Sequence, residues 1–153
     1  MPDGLNVKPR LRVVAAALLD PERRVLLAER PAGKHMAGWW EFPGGKVGTA
    51  ETDEQALVRE LREELGIESR VHRKVATMTH EYPDRIVDLI LLHASILSGE
   101  PRGLDGQQLK WVDCQSLGSE RLLPADLPLI PALQALSSGP DVPASPSSST
   151  QVR

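Results

Sequence analysis

Apolar residues along this chain gather into short blocks separated by Pro, Gly and charged positions. Leu11 to Leu19 is an apolar run broken only by Arg12 and reads as a buried strand. The polar turn Asp20-Pro21-Glu22-Arg23 leads from it into a second block, Val25 to Glu29, and the two together predict a hairpin. Pro31 to Gly38 reads as a loop, and Trp39-Trp40-Glu41-Phe42 as a short extended piece ahead of Pro43-Gly44-Gly45. From Thr52 to Gly66 the pattern is helical. Leu57, Val58, Leu61 and Leu65 form a core-facing stripe, Thr52 with Gln55 three residues on makes a capping box, and Gly66 suits the residue after the helix end. Val71 to Glu81 and Arg85 to Leu97 predict two strands about Tyr82-Pro83-Asp84, and Leu109 to Asp113 another short one. Leu127 to Leu136 predicts a closing helix despite Pro128 and Pro131. There is no internal repeat.

The organisation expected is an N-terminal tail over 1–9, one folded domain over 10–137, and a disordered tail over 138–153 that is rich in Pro and Ser with almost nothing to bury. A chain of 153 residues is long enough for one real core. Its net charge of -3 argues against a binder of duplex nucleic acid, which would show a basic face, whereas a phosphate-rich small molecule needs only a few local cations. The single Cys114 excludes an intrachain disulfide and a cysteine-rich zinc site. No apolar run approaches the roughly 18 residues of a membrane span, and the start MPDGLNVKPR lacks the apolar core of a signal peptide. A cytoplasmic monomer without a membrane partner is expected.

Candidate chemistry concentrates on the helix. Glu60, Glu63 and Glu64 project within one arc, where unpaired like charges oppose helix formation by roughly 0.2–0.5 kcal/mol per pair. Such an arc is either a solvated acidic face or a set of hard oxygen ligands for Mg²⁺ or Mn²⁺, which usually also contacts substrate phosphates. The wider pattern separates the two readings. Gly45, five residues, Glu51, seven residues, then Arg59-Glu60-Leu61-Arg62-Glu63-Glu64-Leu65-Gly66-Ile67 resembles the Nudix box at every position of that family's signature. The resemblance implies a hydrolase of nucleoside diphosphates linked to some other group X, working with Mg²⁺ or Mn²⁺ on an α/β fold of the α+β kind: an α-β-α sandwich about a central mixed sheet. It implies Glu60, Glu64 and the carbonyl of Gly44 as metal ligands and Glu63 as a ligand or the general base. Arg59 would orient a carboxylate with its planar fork, and Glu51 would support the metal site. Glu51 also has a plainer role, a favourable interaction with the helix N-terminus.

Outside the box, the segments Glu29-Arg30-Pro31, Lys34-His35-Met36-Ala37-Gly38, Trp40 to Val47, Tyr82-Pro83-Asp84-Arg85 and Leu123 to Pro128 resemble the MutT branch of nucleotide-pool sanitising enzymes. That branch converts 8-oxo-dGTP to 8-oxo-dGMP and pyrophosphate, and its near neighbours are CTP and 5-methyl-dCTP pyrophosphohydrolases. The resemblance implies nucleotide contacts at Arg30 and His35, a base pocket lined by Glu41, Phe42, Pro43 and Gly44, and closure by Arg85. Phe42 and Trp40 are equally good core residues. Three positions depart from the pattern, of which Gly48, where many relatives have a glutamate, is variable within the box. Asp105 stands where a loop glutamate is usual and also reads as a turn aspartate before Gly106. Asp126 stands where the founding pattern has asparagine; ionised, it only accepts hydrogen bonds, and burial could raise its pKa enough to let it donate. Its plainer reading is an N-cap of the closing helix. The leading expectation is an 8-oxo-dGTP diphosphatase, followed by a pyrimidine triphosphate pyrophosphohydrolase, and then a nucleotide-sensing domain that binds without hydrolysis.

Overall fold

In the computed structural model, residues 7–139 are described. They form seven strands, β1 (Arg10–Leu18), β2 (Arg24–Glu29), β3 (Trp40–Glu41), β4 (Gly44–Lys46), β5 (Glu68–Glu81), β6 (Ile86–Ser98) and β7 (Leu109–Asp113), and two α-helices, α1 (Asp53–Leu65) and α2 (Ile130–Ser138). A mixed sheet runs in the order β4-β1-β6-β5, and a smaller antiparallel sheet in the order β3-β2-β7. Within the mixed sheet β1 is parallel to β6, from Arg10 opposite Ile86 to Leu18 opposite Ala94, and antiparallel to β4.

Burial on both faces accounts for the unbroken apolar run of β1 from Val13 to Leu18. Val14, Ala16 and Leu18, with Ile90 and Leu92 of β6, pack under α1 in one core. Ala15, Ala17 and Leu19, with Leu89 and Leu91, face α2 in the other. This is the expected α-β-α layering. Leu57, Leu61 and Leu65 of α1 are fully buried, and each contributes roughly 2 kcal/mol to holding the helix on the sheet. The ends of α1 follow the local rules. Thr52 Oγ1 accepts from the Gln55 N–H at 3.1 Å, Gln55 Oε1 accepts from the Thr52 N–H at 2.9 Å, and Gly66 closes the helix in the left-handed region at φ 73°.

The predicted hairpin forms only at its tip. Leu19 bridges Val25, and the Asp20 carboxylate accepts from the N–H groups of Glu22 and Arg24 at 3.0 and 2.7 Å. Beyond the turn the strands part, because β4 and β6 already occupy both flanks of β1 and leave β2 no ladder to join there. The predicted closing helix is also divided, into a 3-10 turn over Leu127–Leu129 and α2. Pro128 and Pro131 each fall in the first turn of their own segment, where no N–H partner is required. Because α2 extends to Ser138, it overruns the expected start of the tail by one residue. The tail beyond 139 and the first six residues lie outside the described residues. Val7 to Pro9 carry no regular structure, yet Lys8 pairs with Glu81 and the Pro9 carbonyl accepts from the Ile86 N–H.

The β5–β6 ladder slips between Glu68 and Ser69, between Val71 and Arg73, and between Lys74 and Ala76. His72 and Val75 are thereby left as extra residues on the outer strand, and each slip reverses which side chains face the core. Val75 and Ala76, adjacent in sequence, accordingly both pack against the core beneath α2. Among the described residues no helix is long and apolar enough to cross a membrane.

Candidate active site

Backbone and helix meet at the glycine pair. Gly44 and Gly45 of β4 lie opposite Ala15 and Val14 of β1. A Cβ at Gly44 would sit 2.0 Å from the Val14 carbonyl oxygen, and one at Gly45 only 2.4 Å from the carboxyl carbon of Glu60. Glycine therefore lets α1 lay a carboxylate directly on the β4 backbone. Glu60 and Glu64, one helical turn apart, border one cavity of about 470 Å³ with Gly44, Phe42 and Asp126. Glu64 is pushed well above the usual carboxylate range, first by burial and then by the charge of Glu60 and a hydrogen bond with it. Two partly desolvated carboxylates this close require a proton or a cation between them.

The donor set fits a hard divalent ion. Among the described residues no three His, Cys, Asp or Glu side chains form a ready-made cage. A Mg²⁺-like ion does not need one, since one or two carboxylates suffice where backbone, water and substrate phosphates complete its shell. Glu60, Glu64 and the Gly44 backbone supply that partial set.

Arg59 organises the outer side of α1. Its Nε and Nη2 donate to Glu51 at 2.6 and 2.9 Å, its Nη1 to Glu60 at 3.0 Å and Glu63 at 3.2 Å, and its Nη2 also to the Lys46 carbonyl at 3.0 Å. The Gly48 N–H adds a bond to Glu51 at 2.8 Å. Arg59 first, and that backbone bond second, hold the Glu51 carboxyl down at about 2. A Cβ at position 48 would stand 2.9 Å from the same Glu51 oxygen, so glycine there leaves room for the bond. Glu63 reaches Arg59 but is 59% exposed and does not border the cavity of Glu60 and Glu64. The structure thus joins Glu51, Arg59, Glu60 and Glu63 by ion pairs while turning only Glu60 inward.

At the far wall, Asp126 does not cap the closing helix. Its backbone is already helical, at φ −89° and ψ −19°, and its side chain makes no cap bond. Instead the residue is buried, 6% exposed, and its carboxyl accepts from the Phe42 N–H at 3.4 Å. Burial pushes it up to about 7 against the pull of that bond, so near neutral pH it is divided between a form that only accepts and one that also donates. Phe42 is a core residue, 4% exposed, that offers its backbone to the cavity. Trp40 packs against the same core beneath the Lys110 ammonium, 4.2 Å from its ring centre.

Arg30 donates to the His35 carbonyl at 3.1 Å and lies 3.5 Å from Glu41, a carboxyl that burial raises and Arg30 partly restores. Arg30, His35 and Arg85 border an adjoining cavity of about 570 Å³ with His80 and Tyr82, and the Arg85 guanidinium stands 4.6 Å from the Tyr82 ring centre. Pro43 and Asp105 border a third cavity, of about 410 Å³, that also reaches Glu41 and Glu64. Asp105 is set by a turn in which its N–H donates to Gln107 Oε1 at 2.9 Å, while Gln107 Nε2 donates to the Glu64 carbonyl at 3.3 Å. Asp105 is therefore a turn residue that borders the same cavity as Glu64. Sequence reasoning missed Lys34, Lys46 and Gln107, which also border these cavities. Their signal was proximity to His35, Gly45 and Asp105.

The family model described as NUDIX domain matches residues 8–133. A CTP pyrophosphohydrolase of Escherichia coli (strain K12) is 44% identical over 123 residues, covering 80% of this chain and 91% of that protein. An 8-oxo-dGTP diphosphatase of the same organism is 35% identical over 127 residues, covering 83% of this chain and 98% of that protein. In three dimensions, the solution structure of the E. coli ORF135 protein superposes with a TM-score of 0.76 at 40% identity, covering 89% of this chain and 96% of that one.

Proposed function

Since this chain belongs to the NUDIX family, whose members are hydrolases acting on pyrophosphate bonds, we propose that it converts 8-oxo-dGTP to 8-oxo-dGMP and pyrophosphate. The observation that carries this reading is the Glu60–Glu64 pair, with Glu60 laid on Gly45 and both bordering a cavity shared with Asp126. Divalent metal is a general requirement of such hydrolases. Mg²⁺ or Mn²⁺, held by Glu60, Glu64 and the Gly44 carbonyl, would lower the pKa of water and neutralise phosphoryl oxygens. Overall, the oxygen of water bonds to a phosphorus, a P–O–P link breaks, and pyrophosphate and the nucleoside monophosphate separate. Arg59 fixes Glu60 from behind and keeps Glu51 ionised. Glu63, on the outer side of the helix, serves as proton acceptor or further ligand, and Asp105 faces Glu64 across the neighbouring cavity. Arg30 and His35 hold the nucleotide, Glu41 to Gly44 present backbone to the base, and Arg85 closes over it. As a cytoplasmic monomer acting on the nucleotide pool, the enzyme would remove an oxidised precursor before DNA replication uses it.

Two observations favour a second reading with cytosine nucleotides as substrates. Asp126 at about 7 can present the protonated form that a donor-acceptor edge requires, and one relative is named for CTP. Pyrophosphate release from 8-oxo-dGTP, dGTP, CTP and 5-methyl-dCTP at equal low concentration, with Mg²⁺ and with chelator, separates the readings. Preference for 8-oxo-dGTP supports the first, and preference for the cytosine nucleotides replaces it with the second. Binding without metal-dependent release would make the domain a sensor, a role that has no need of the retained carboxylate pair.

A further inference from the structure

Lys34 stands out among the cations near the site. Arg30 is engaged with His35 and Glu41, and Arg59 with three carboxylates. The Lys34 ammonium makes no hydrogen bond or ion pair among the described residues, whereas its backbone is fixed on both sides. The Lys34 N–H donates to the Pro31 carbonyl at 3.2 Å, its carbonyl accepts from Ala37 at 3.1 Å, and the loop is closed by the Gly38 N–H on the Arg30 carbonyl at 3.0 Å. A pinned backbone thus carries an unpartnered positive charge.

That charge borders two cavities. One contains Glu60, the Gly44 backbone and Asp126, and the other Asp105 and Gln107; Arg30, Lys34, Glu41 and Glu64 border both. A nucleotide whose base reaches Asp126 and whose phosphates meet Glu60 and Glu64 has the second cavity open ahead of its terminal phosphates. The wall there carries four carboxylates, Glu29, Glu41, Glu64 and Asp105, against Lys34 and an Arg30 already engaged with Glu41 and the His35 carbonyl, so a polyphosphate end entering it needs a further cation from the protein beyond any it brings. A lysine ammonium on a flexible stem is a point charge that follows phosphate oxygens without demanding one geometry.

We propose that Lys34 binds the terminal, pyrophosphate end of the triphosphate in the cavity between Glu64 and Asp105, and so distinguishes triphosphates from shorter nucleotides. This rests on the triphosphate reading above, and it names a contact that reading does not require. The competing role is simple neutralisation of Glu41, whose carboxyl Lys34 also helps to hold down.

The test compares Lys34→Gln and Lys34→Arg with wild type and with Lys74→Gln, a charge control on the exposed face of β5. Inhibition by inorganic pyrophosphate and by the nucleoside monophosphate is measured, together with calorimetric binding of pyrophosphate alone, with and without Mg²⁺. In Lys34→Gln, pyrophosphate affinity should fall roughly tenfold or more while monophosphate affinity stays within about twofold of wild type. Lys34→Arg should recover most of the loss, and Lys74→Gln should match wild type. Unchanged pyrophosphate affinity, or equal weakening of both products, overturns the proposal in favour of the Glu41 role. If the wild-type enzyme cleaves no triphosphate, the functional reading fails by itself, and pyrophosphate binding still reports on Lys34.

Discussion

Glu64 bears two unfavourable loads in the absence of a cation: burial of its carboxyl and repulsion from Glu60. Replacing it with Gln removes both. In Glu64→Gln we expect turnover to fall by at least about a hundredfold, since a carboxylate proposed to hold the metal is lost. Metal-free thermal stability should hold or rise, because the repulsion is relieved, and the stabilisation that Mg²⁺ gives wild type should largely disappear. Calorimetric melts with and without Mg²⁺ check both points; a marked loss of metal-free stability would contradict the electrostatic account, and near-normal turnover the catalytic one. Asp126→Asn makes a complementary case. An amide donates and accepts at every pH, so an ionisation near 7 should vanish from the pH profile of kcat/KM, and the ranking of bases should change. An unaltered profile would show that Asp126 does not face the base. Its departure from the family pattern was visible in the sequence, but its partner was not. Phe42 lies 84 positions away, and the place of Asp126 ahead of the closing helix suggests a cap bond that its side chain does not make.

Helix α1 can be tested as a unit. Thr52→Ala and Gly66→Ala should each destabilise by about 1 kcal/mol, the first by losing a cap bond and the second by forcing a side chain into φ 73°; denaturant titration measures both. Gly45→Ala should act differently. The atoms that its Cβ would meet belong to the end of the Glu60 side chain, so the fold should survive while Mg²⁺ affinity drops; metal titration followed by melting temperature would show this, and unchanged affinity would remove Gly45 from the metal site. These elements differed in how far they could be read. The limits of α1 were legible because Thr52, Gln55 and Gly66 act within a few residues of the helix. The hairpin was misread because an apolar run such as Leu11 to Leu19 reports burial and not which strands supply it, and here β4 and β6 do. Arg59, Glu60 and Glu64 could be located by spacing and family resemblance. Lys34 had only its nearness to His35 as a signal, because a lone lysine in a loop becomes informative when Pro31, Ala37 and Gly38 fix where it stands.

At the scale of the whole molecule, His93 sets a response to acid. It is fully buried in β6, both ring nitrogens lack partners among the described residues, and its ring lies 4.7 Å from that of His72. Burial first, and the His72 charge second, hold its pKa down at about 4. The unfolded chain takes up this proton near 6.5 and the folded chain resists it. The neutral ring's contribution is therefore complete above about 6.5 and is lost as pH falls toward 4. Asp126 runs the other way, since protonation favours its folded form. The difference between wild type and His93→Leu isolates the histidine: between pH 7.5 and 4.5 the variant should gain on the order of 2 kcal/mol relative to wild type, measured by denaturant midpoints, and a constant difference would refute the assignment. The same pair of strands governs how the molecule meets others. Among the described residues one flank of β5 has no strand partner in the sheet, yet the slips at His72 and Val75 and the exposed cations Arg70, Arg73 and Lys74 make that flank a poor template. A second chain laid along it would fall out of step within a few residues and meet concentrated positive charge. The consequence is colloidal: the irregularity that folds the outer strand over the core also guards the molecule against growth into fibres.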